Sequence, residues 1–189
     1  MGKSTILNRL VGQKISITSR RPQTTRHRIL GIKTDERAQI IYVDTPGLHA
    51  KQQRAINRYL NRAAVDSLRD VDVVVFVVEG TRWQEDDEWV LEKLKHLVCP
   101  VVLAINKIDL VADKSELLPH MEMLAQKRDF AELIPVSAKN GDHLQQLETA
   151  VRERLPQSPS FYSEDQITDR SQRFLAAELV REKLFRKLG

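Results

Sequence analysis

The chain has 189 residues and a formal net charge of +4, with 41% hydrophobic and 30% charged residues, proportions typical of a soluble globular protein. No run of about 18 apolar residues occurs, which excludes a membrane-spanning helix, and the start lacks the pattern of a signal peptide, so we expect a cytoplasmic location. The single cysteine, Cys99, excludes an internal disulfide and is expected to be a small buried hydrophobe.

Basic residues are concentrated at the amino-terminal end. Residues 1–34 contain eight Lys or Arg and no Asp or Glu, whereas residues 35–189 contain 22 basic and 26 acidic residues. This asymmetry predicts an anion-binding end, although a solvated face or a nucleic-acid patch would have the same composition.

The first residues match the second half of a phosphate-binding loop, G-x-x-x-x-G-K-[ST]. Gly2, Lys3, Ser4 and Thr5 stand at the positions where backbone N–H groups, a lysine and a hydroxyl contact phosphates and magnesium. The apolar residues that follow recur at helical spacing, which places the motif at a helix N-terminus, where anions bind. A simple helix cap would have the same four residues.

A polar, basic segment follows this helix over residues 13–28 and is predicted to be a long loop. Residues 29–34 and 39–44 are predicted to be two strands joined by a turn. The second strand ends in Asp44-Thr45-Pro46-Gly47. An aspartate at the carboxyl end of a buried strand lies where open α/β sheets place their ligand-binding groups.

Helices and strands alternate over the rest of the chain. The periodicity predicts helices over 54–69, 86–97, 115–127 and from Gly141 to Leu155, and strands over 71–78, 101–105 and 133–136. The 71–78 run is predicted to be buried on both faces, as in parallel sheets. This alternation predicts an α/β fold with a doubly wound, mostly parallel sheet.

The carboxyl-terminal end has a different character. Residues 156–166 are predicted to be a linker, and Thr168-Asp169 is predicted to cap a terminal helix. The apolar stripe expected on that helix consists of Phe174, Ala177, Val180, Leu184 and Leu188. Such a stripe needs a partner surface, so we expect the chain to end inside a second domain.

Three further motifs follow the strands in the order that nucleotide chemistry requires. Asp44 can hold magnesium through a water, and the Gly47 N–H can bond a terminal phosphate. The Asp109 carboxylate of the motif Asn106-Lys107-x-Asp109 can accept two N–H groups of guanine, which adenine does not present. Each motif alone could be a common turn or a polar loop.

The other residues of these motifs have supporting roles. Lys107 would cover the base with its stem, and Asn106 would brace the neighbouring loops. The loop Ser137-Ala138-Lys139 would present a backbone N–H to the guanine O6.

The chain resembles the Era family of bacterial ribosome-assembly GTPases, TrmE-Era-EngA-like P-loop GTPases that join a GTP-binding domain to an RNA-binding KH domain. The resemblance is carried by GQKISITSRRPQTTRHRILGI (12–32), YVDTPGLH (42–49), FVVEGTRW (76–83), NKID (106–109), PVSAKNG (135–141) and ITDRSQRFLAAELVREKLF (167–185). It implies a GTP-binding domain over 1–156, a linker over 157–166 and the start of a KH domain over 167–189.

The resemblance also assigns the mobile segments. By this resemblance, residues 13–28 are the first switch, in which the hydroxyl of Thr24 or Thr25 binds magnesium together with Ser4 and Asp44. We prefer Thr25 as the magnesium ligand. In the second switch Leu48 stands where many small GTPases have a water-orienting glutamine, so we expect slow hydrolysis that depends on a group from elsewhere. His49 is adjacent but is expected to be structural.

Two parts of the family pattern are absent from the sequence. The strand expected before Met1 and the first glycine of the phosphate loop are missing. Met1 stands where the family usually has valine, so our hypothesis is that an internal valine codon was taken as the start codon. We expect strands 39–44 and 71–78 to lose a shared neighbour, which leaves their edges unpaired or closes the sheet. No G-x-x-G loop of a KH domain follows residue 167.

The preferred interpretation is a monomeric, GTP-binding and GTP-hydrolysing switch that uses Mg²⁺ and acts on 16S rRNA and the small ribosomal subunit. Peripheral contact with the cytoplasmic face of the cell membrane is left open by the sequence. The alternative is a nucleotide-independent RNA-binding or protein-interaction module that uses the basic segment and the terminal helix.

Overall fold

Helices and strands alternate much as the hydrophobic periodicity predicts. The structure is a computed structural model that describes residues 1–18, 24–47, 64, 68 and 70–187. The helices are α1 (Lys3–Val11), α2 (Glu85–Leu94), α3 (Leu117–Ala125), α4 (Leu144–Arg152) and α5 (Gln172–Lys187), with 3₁₀ turns at Ile108–Leu110 and Lys114–Glu116. The strands are β1 (Ile29–Thr34), β2 (Gln39–Asp44), β3 (Val74–Glu79), β4 (Val101–Asn106) and β5 (Glu132–Pro135).

Strands β3, β4 and β5 form a parallel sheet with β4 in the middle. Every residue of β4 is buried, because apolar side chains on both of its faces meet helices. Helices α1 and α4 contribute to the hydrophobic cluster on one side, and α2 and α3 to the cluster on the other, where Cys99 is partly buried. This arrangement brings the carboxyl ends of all three strands to one edge.

Strands β1 and β2 form a separate antiparallel hairpin, in register from Ile29 opposite Asp44 to Thr34 opposite Gln39. The Asp35 carboxylate accepts hydrogen bonds from the N–H groups of Arg37 and Ala38 at 2.9 and 3.1 Å, which closes the turn. Arg152 of α4 pairs with the same carboxylate and lowers its pKa. The hairpin is thereby fixed to the body of the protein.

The two sheets are not joined in the part of the chain that the structure describes. A cavity of about 500 Å³ separates β2 from β3, and α1 contributes to its wall. The parallel β3–β4–β5 sheet, with helices on both faces, agrees with the predicted α/β fold. Among the described residues, the β1–β2 hairpin forms a second sheet that is not hydrogen-bonded to it. Within the described residues, the facing edges of β2 and β3 are not hydrogen-bonded to each other, so the alternative of a closed-up sheet does not occur.

Several predicted boundaries are corrected by local hydrogen bonding. The strand predicted from residue 71 begins at Val74, and the helix predicted over 86–97 ends at Leu94. The helix predicted from Gly141 begins at Leu144, because the Gly141 N–H bonds the Ser137 carbonyl in a tight loop that precedes it. Apart from isolated positions, the helix predicted over 54–69 lies outside the described residues.

Helix α5 differs most from its prediction. It begins at Gln172, and Ser171, rather than Thr168-Asp169, provides the capping oxygen, which accepts the Phe174 N–H at 3.3 Å. The predicted apolar stripe is largely exposed, with Val180 at 60% and Leu184 at 51% exposure. Glu178 and Glu182 are buried in its place, because this face of the helix packs on the basic 13–28 segment.

The segment predicted as a linker is docked on the β1–β2 hairpin. The Gln39 side chain accepts the N–H groups of Phe161 and Tyr162 at 2.8 and 2.9 Å and donates to the Tyr162 carbonyl. Thr168 then forms an isolated bridge with Gly31 of β1. Among the described residues, every helix is too short or too polar to span a bilayer.

Candidate functional site

The start of α1 is a backbone site that only glycine fits. Gly2 has a φ of 94°, and its carbonyl accepts the N–H groups of Thr5 and Ile6, both at 3.1 Å. A Cβ at this position would lie 2.5 Å from Asn106 Nδ2, closer than real Cβ contacts allow. The phosphate-loop motif therefore touches the base motif directly, and the first-turn N–H groups of α1 form an anion-binding end.

Three predicted metal-binding residues meet beside this helix end. Ser4 Oγ donates to Asp44 Oδ2 at 2.7 Å and lies 3.0 Å from Thr25 Oγ1. Asp44 is only 5% exposed. The sequence left Thr24 and Thr25 open, and the structure places the Thr25 hydroxyl in the cluster, whereas the Thr24 carbonyl accepts a hydrogen bond from Arg181.

Lys3 lies in the same cluster, and burial lowers its pKa, although the Asp44 carboxylate acts in the opposite direction. Its ammonium group is thus less well stabilised in the folded chain than in water. A phosphate group bound at the α1 end would supply the negative charge that favours protonated Lys3.

The donor set fits magnesium better than a transition metal. Its atoms are two hydroxyl oxygens and one carboxylate oxygen, and magnesium binds such hard oxygens, usually through one or two carboxylates completed by substrate phosphates and water. The described residues contain no cluster of three or more His, Cys, Asp or Glu that could hold a metal alone. A bound cation would depend on the phosphates of a ligand.

The predicted base-reading motif begins at Asn106, the last residue of β4, which is 1% exposed. Its amide donates to the Met1 carbonyl at 2.7 Å and accepts the Ala138 N–H at 3.0 Å. Asp109 Oδ1 accepts the Ser137 hydroxyl at 2.7 Å. The two predicted base-contacting segments, Asn106–Asp109 and Ser137–Lys139, are thereby held together.

Lys107 has a φ of 66°, and its ammonium pairs with Glu79 at 2.8 Å. Burial alone would raise the pKa of Glu79, but hydrogen bonds from Lys107 and the terminal amine of Met1 lower it to about 2. Lys139 is exposed, and its carbonyl accepts Arg9 of α1 at 2.6 Å. Since the Ala138 N–H already bonds Asn106, it can reach a guanine O6 only by sharing or changing its partner.

The second-switch predictions are not described by the structure. Gly47 ends a described segment, three residues after Asp44, and Leu48 and His49 lie outside the described residues. Their predicted roles therefore stay predictions.

Sequence reasoning missed the contacts that brace the 13–28 segment. Glu182 of α5 pairs with Lys14 and accepts the Thr18 N–H and hydroxyl at 3.3 and 3.1 Å. Arg181 donates to the Thr24 carbonyl at 2.9 Å. The only signal available in the sequence was a pair of opposite charges on a helix, which usually indicates a solvated face.

Comparison with known proteins gives this geometry a family. Residues 1–107 match the model of the family described as 50S ribosome-binding GTPase. This chain belongs to that family. It is also 60% identical over 189 residues to the GTPase Era of Ectopseudomonas mendocina (strain ymp), an alignment that covers 100% of the chain and 63% of that relative. The GTPase Era of Yersinia pestis (strain Pestoides F) is 59% identical and is 62% covered.

Solved structures agree with the predicted fold. A crystal structure of Era in complex with MgGDPNP and nucleotides 1506–1542 of 16S ribosomal RNA superposes with a TM-score of 0.91 at 39% identity, over 96% of this chain and 62% of that one. Aquifex aeolicus Era bound to GDP·AlF₄⁻ gives 0.90 at 38% identity, with the same shares covered. The predicted resemblance to Era and the P-loop GTPase fold are confirmed, and the chain spans less than two thirds of these relatives.

Proposed function

We propose that this chain binds GTP and GDP together with Mg²⁺ and hydrolyses GTP as a molecular switch. The observation that carries the proposal is the convergence of Lys3, Ser4, Thr25 and Asp44. These residues come from three segments as far as 40 positions apart, yet their hydroxyl and carboxylate oxygens lie within hydrogen-bond distance of one another. Hard oxygen donors beside a half-buried lysine at a helix N-terminus suit a magnesium-bound phosphate.

Each part of the site has a role in binding. The α1 N–H groups and Lys3 hold the phosphates, and Thr5 lies in that first turn; Ser4, Thr25 and Asp44 hold magnesium, directly or through water. When bound, magnesium neutralises part of the charge that spreads over the phosphate oxygens during transfer. Asp109, oriented by the Ser137 hydroxyl, accepts the two guanine N–H groups.

Hydrolysis in this proposal relies on positioning and charge stabilisation. Lys3 and the helix end stabilise the charge that develops on the phosphates. Leu48 has no side-chain group to orient a water, so the rate is expected to be slow until a partner or another segment supplies one. Gly47 would hold the terminal phosphate through its backbone N–H.

The cellular role that we propose is inferred from the similar Era proteins. Because the similar solved Era structure contains a 16S rRNA segment, we include maturation and assembly of the small ribosomal subunit in the cytoplasm. Peripheral contact with the membrane and a monomeric state are part of the same proposal. So is the division into a GTP-binding domain (1–156), a linker (157–166) and the start of an RNA-binding KH domain (167–189).

Equilibrium binding of fluorescent GDP and fluorescent ATP, each with magnesium and with EDTA, tests the proposal. We expect GDP binding that magnesium tightens, and ATP binding at least a hundredfold weaker. Equal affinity for both nucleotides would remove the base-reading role of Asp109. Binding of neither nucleotide would contradict the proposal and favour a nucleotide-independent interaction module.

A further inference from the structure

A buried serine of the 13–28 segment, to which the sequence assigned no role, contacts the proposed magnesium site. Ser16 is 1% exposed, and its hydroxyl donates to Asp44 Oδ2 at 2.7 Å. The same oxygen accepts the Ser4 hydroxyl at 2.7 Å. A buried hydroxyl usually satisfies itself on a nearby backbone carbonyl, so a bond to a carboxylate 28 residues away calls for a specific explanation.

Ser16 is held in place by Asn8 of α1. The Asn8 side-chain oxygen accepts the N–H groups of Ile15 and Ser16, both at 3.0 Å, and its amide donates to the Ser16 carbonyl at 2.7 Å. Three hydrogen bonds from one side chain fix the backbone of this loop relative to α1. Since Lys3 and Ser4 open the same helix, α1 positions the phosphate-binding residues and, through Asn8, the serine behind Asp44.

The hydroxyl protons in the cluster can be accounted for. Ser4 and Ser16 each have one proton, and each commits it to Asp44 Oδ2. The Thr25 hydroxyl can donate to Ser4 Oγ at 3.0 Å or to Asp44 Oδ2 at 3.4 Å. Neither serine bond uses Asp44 Oδ1, so the carboxylate is oriented with one oxygen turned to the two serines and the other available for a different partner.

We propose that Asn8 and Ser16 are positioning residues that hold the Asp44 carboxylate in the orientation a divalent cation requires. The inference rests on the proposed function, because it concerns the magnesium-dependent part of nucleotide binding. A carboxylate already fixed by hydrogen bonds loses little freedom when it contacts a metal or its water. Residues that orient a metal-contacting group in this way typically account for about 10–100-fold in metal affinity.

The test is the affinity for fluorescent GDP, measured for each variant in magnesium and in EDTA. Ser16→Ala is expected to weaken binding about tenfold in magnesium and to leave binding in EDTA unchanged. Asn8→Ala should shift affinity in the same direction, because it releases the loop that carries Ser16. Ser16→Thr, which keeps a hydroxyl, should recover most of the magnesium effect.

Ser115→Ala is the matched control. The Ser115 hydroxyl donates to the Asp113 carboxylate at 2.7 Å in an exposed turn, so this change removes the same type of bond far from the cluster. Its affinity should be unchanged in both conditions. Thermal unfolding is recorded for every variant. If the alanine variant does not fold, Ser16→Cys replaces it, because cysteine has nearly the same shape and a weaker donor; it should also weaken GDP binding in magnesium and leave binding in EDTA unchanged.

The outcomes separate the two proposals. An unchanged magnesium effect in the Ser16 variants would overturn the positioning role while leaving GDP binding intact. Equal losses in magnesium and in EDTA would also overturn it, since they indicate a structural role only. If the wild-type chain binds no GDP in either condition, the proposed function fails and this inference fails with it.

Discussion

The two ends of the candidate site are built by different means. At the base end, Asn106 ends β4, the central strand of a three-stranded parallel sheet, and Asp109 lies in the 3₁₀ turn that follows. Main-chain hydrogen bonds hold the strand and the Ile108 N–H next to Asp109. At the phosphate end, Ser4 begins a helix, Thr25 lies in an irregular segment, and Asp44 ends a strand of the other sheet. A cavity of about 500 Å³ lies between the sheets at this end.

This difference indicates where each end is vulnerable. The base end tolerates the loss of a side-chain contact, because its backbone is held by the sheet ladder. The phosphate end depends on side-chain hydrogen bonds among Ser4, Thr25 and Asp44 and on the bracing of the 13–28 segment by α5. Changes at the base end should therefore alter mainly nucleotide affinity, whereas changes at the phosphate end should also alter stability.

Lys3→Met should produce the largest loss of nucleotide affinity. Losing a charge-assisted contact to phosphate is expected to weaken GDP binding by at least about a hundredfold, the equivalent of about 3 kcal/mol. Stability should move the other way, because burial lowers the pKa of Lys3 and the variant removes the cost of holding that charge. The free energy of unfolding without nucleotide should stay constant or rise.

Titration calorimetry and urea unfolding of the same preparations measure both quantities. Lys139→Met is a suitable control, since Lys139 is exposed and belongs to the base end. Destabilisation of Lys3→Met by more than the control would contradict the view that the buried ammonium is a cost in the unliganded chain.

Asp109→Asn tests the base end without disturbing its fold. An asparagine presents one acceptor and one donor, which clashes with the two N–H groups of guanine but suits the N1–H and O2 of xanthine. Losing such a pair costs about 2–4 kcal/mol, so GTP affinity should fall by about 30–1000-fold while XTP affinity rises. Competition of GTP and XTP against fluorescent GDP measures the exchange, and unchanged GTP affinity would remove Asp109 from the site.

Gly2→Ala should affect both ends of the site, because Gly2 belongs to the phosphate end and lies next to Asn106 of the base end. Alanine in this left-handed conformation costs about 1–2 kcal/mol, and its Cβ would lie 2.5 Å from Asn106 Nδ2. Displacing Asn106 disturbs its bond to the Ala138 N–H as well. We expect a loss of stability of about 2–3 kcal/mol and weaker binding of both guanine and phosphate groups.

Gly12→Ala is the control for backbone strain. Gly12 also has a positive φ, at 79°, but no atom lies within 4 Å of the position that the alanine methyl group would take. This variant should lose only the conformational part of the free energy. Equal losses of unfolding free energy for the two variants would mean that the contact between Gly2 and Asn106 does not contribute to stability.

The sequence predicted the base end well because its signals are local and periodic. Strand β4 is an unbroken apolar run that leads directly into Asn106, and such a run is easily recognised as a buried strand. The buried face of α5 could not be predicted in the same way, because Glu182 is buried through tertiary contacts, among them those with Lys14 and Thr18. Asn8 and Ser16 were missed for the same reason: lone polar residues near a loop have no periodicity.

Glu182→Gln should lower the free energy of unfolding by about 1.5–3 kcal/mol, the typical contribution of hydrogen bonds to a charged group. Burial alone would raise the pKa of Glu182, but its bonds from Lys14 and Thr18 lower it. The charged carboxylate therefore contributes stability above the pKa of an unfolded glutamate, and that contribution is lost as pH falls toward the lowered folded value. The melting temperatures of wild type and variant should differ most at neutral pH and converge in acid.

Glu92→Gln provides the comparison, because Glu92 of α2 forms an exposed i,i+3 ion pair with Lys95. It should have a smaller effect, since an i,i+3 pair within one helix adds only a few tenths of a kcal/mol. A constant difference between Glu182→Gln and wild type from neutral to acid pH would show that the charge of Glu182 is not what stabilises the segment.

Apart from the control variants, the smallest effect is expected for Glu79→Gln at the base end. The Glu79 carboxylate pairs with Lys107 and with the terminal amine of Met1, each at 2.8 Å, and is 30% exposed. Water therefore screens both pairs, and the loss of each should cost only about 0.5–1 kcal/mol. Lys107 should stay in place, because the Ile108 N–H bonds the Val136 carbonyl and holds the adjacent backbone. GDP affinity should fall no more than about threefold by calorimetry, and added salt should shrink the difference from wild type. A loss as large as that of Gly2→Ala would show that the base end also depends on its side-chain contacts, and the contrast between the two ends would then fail.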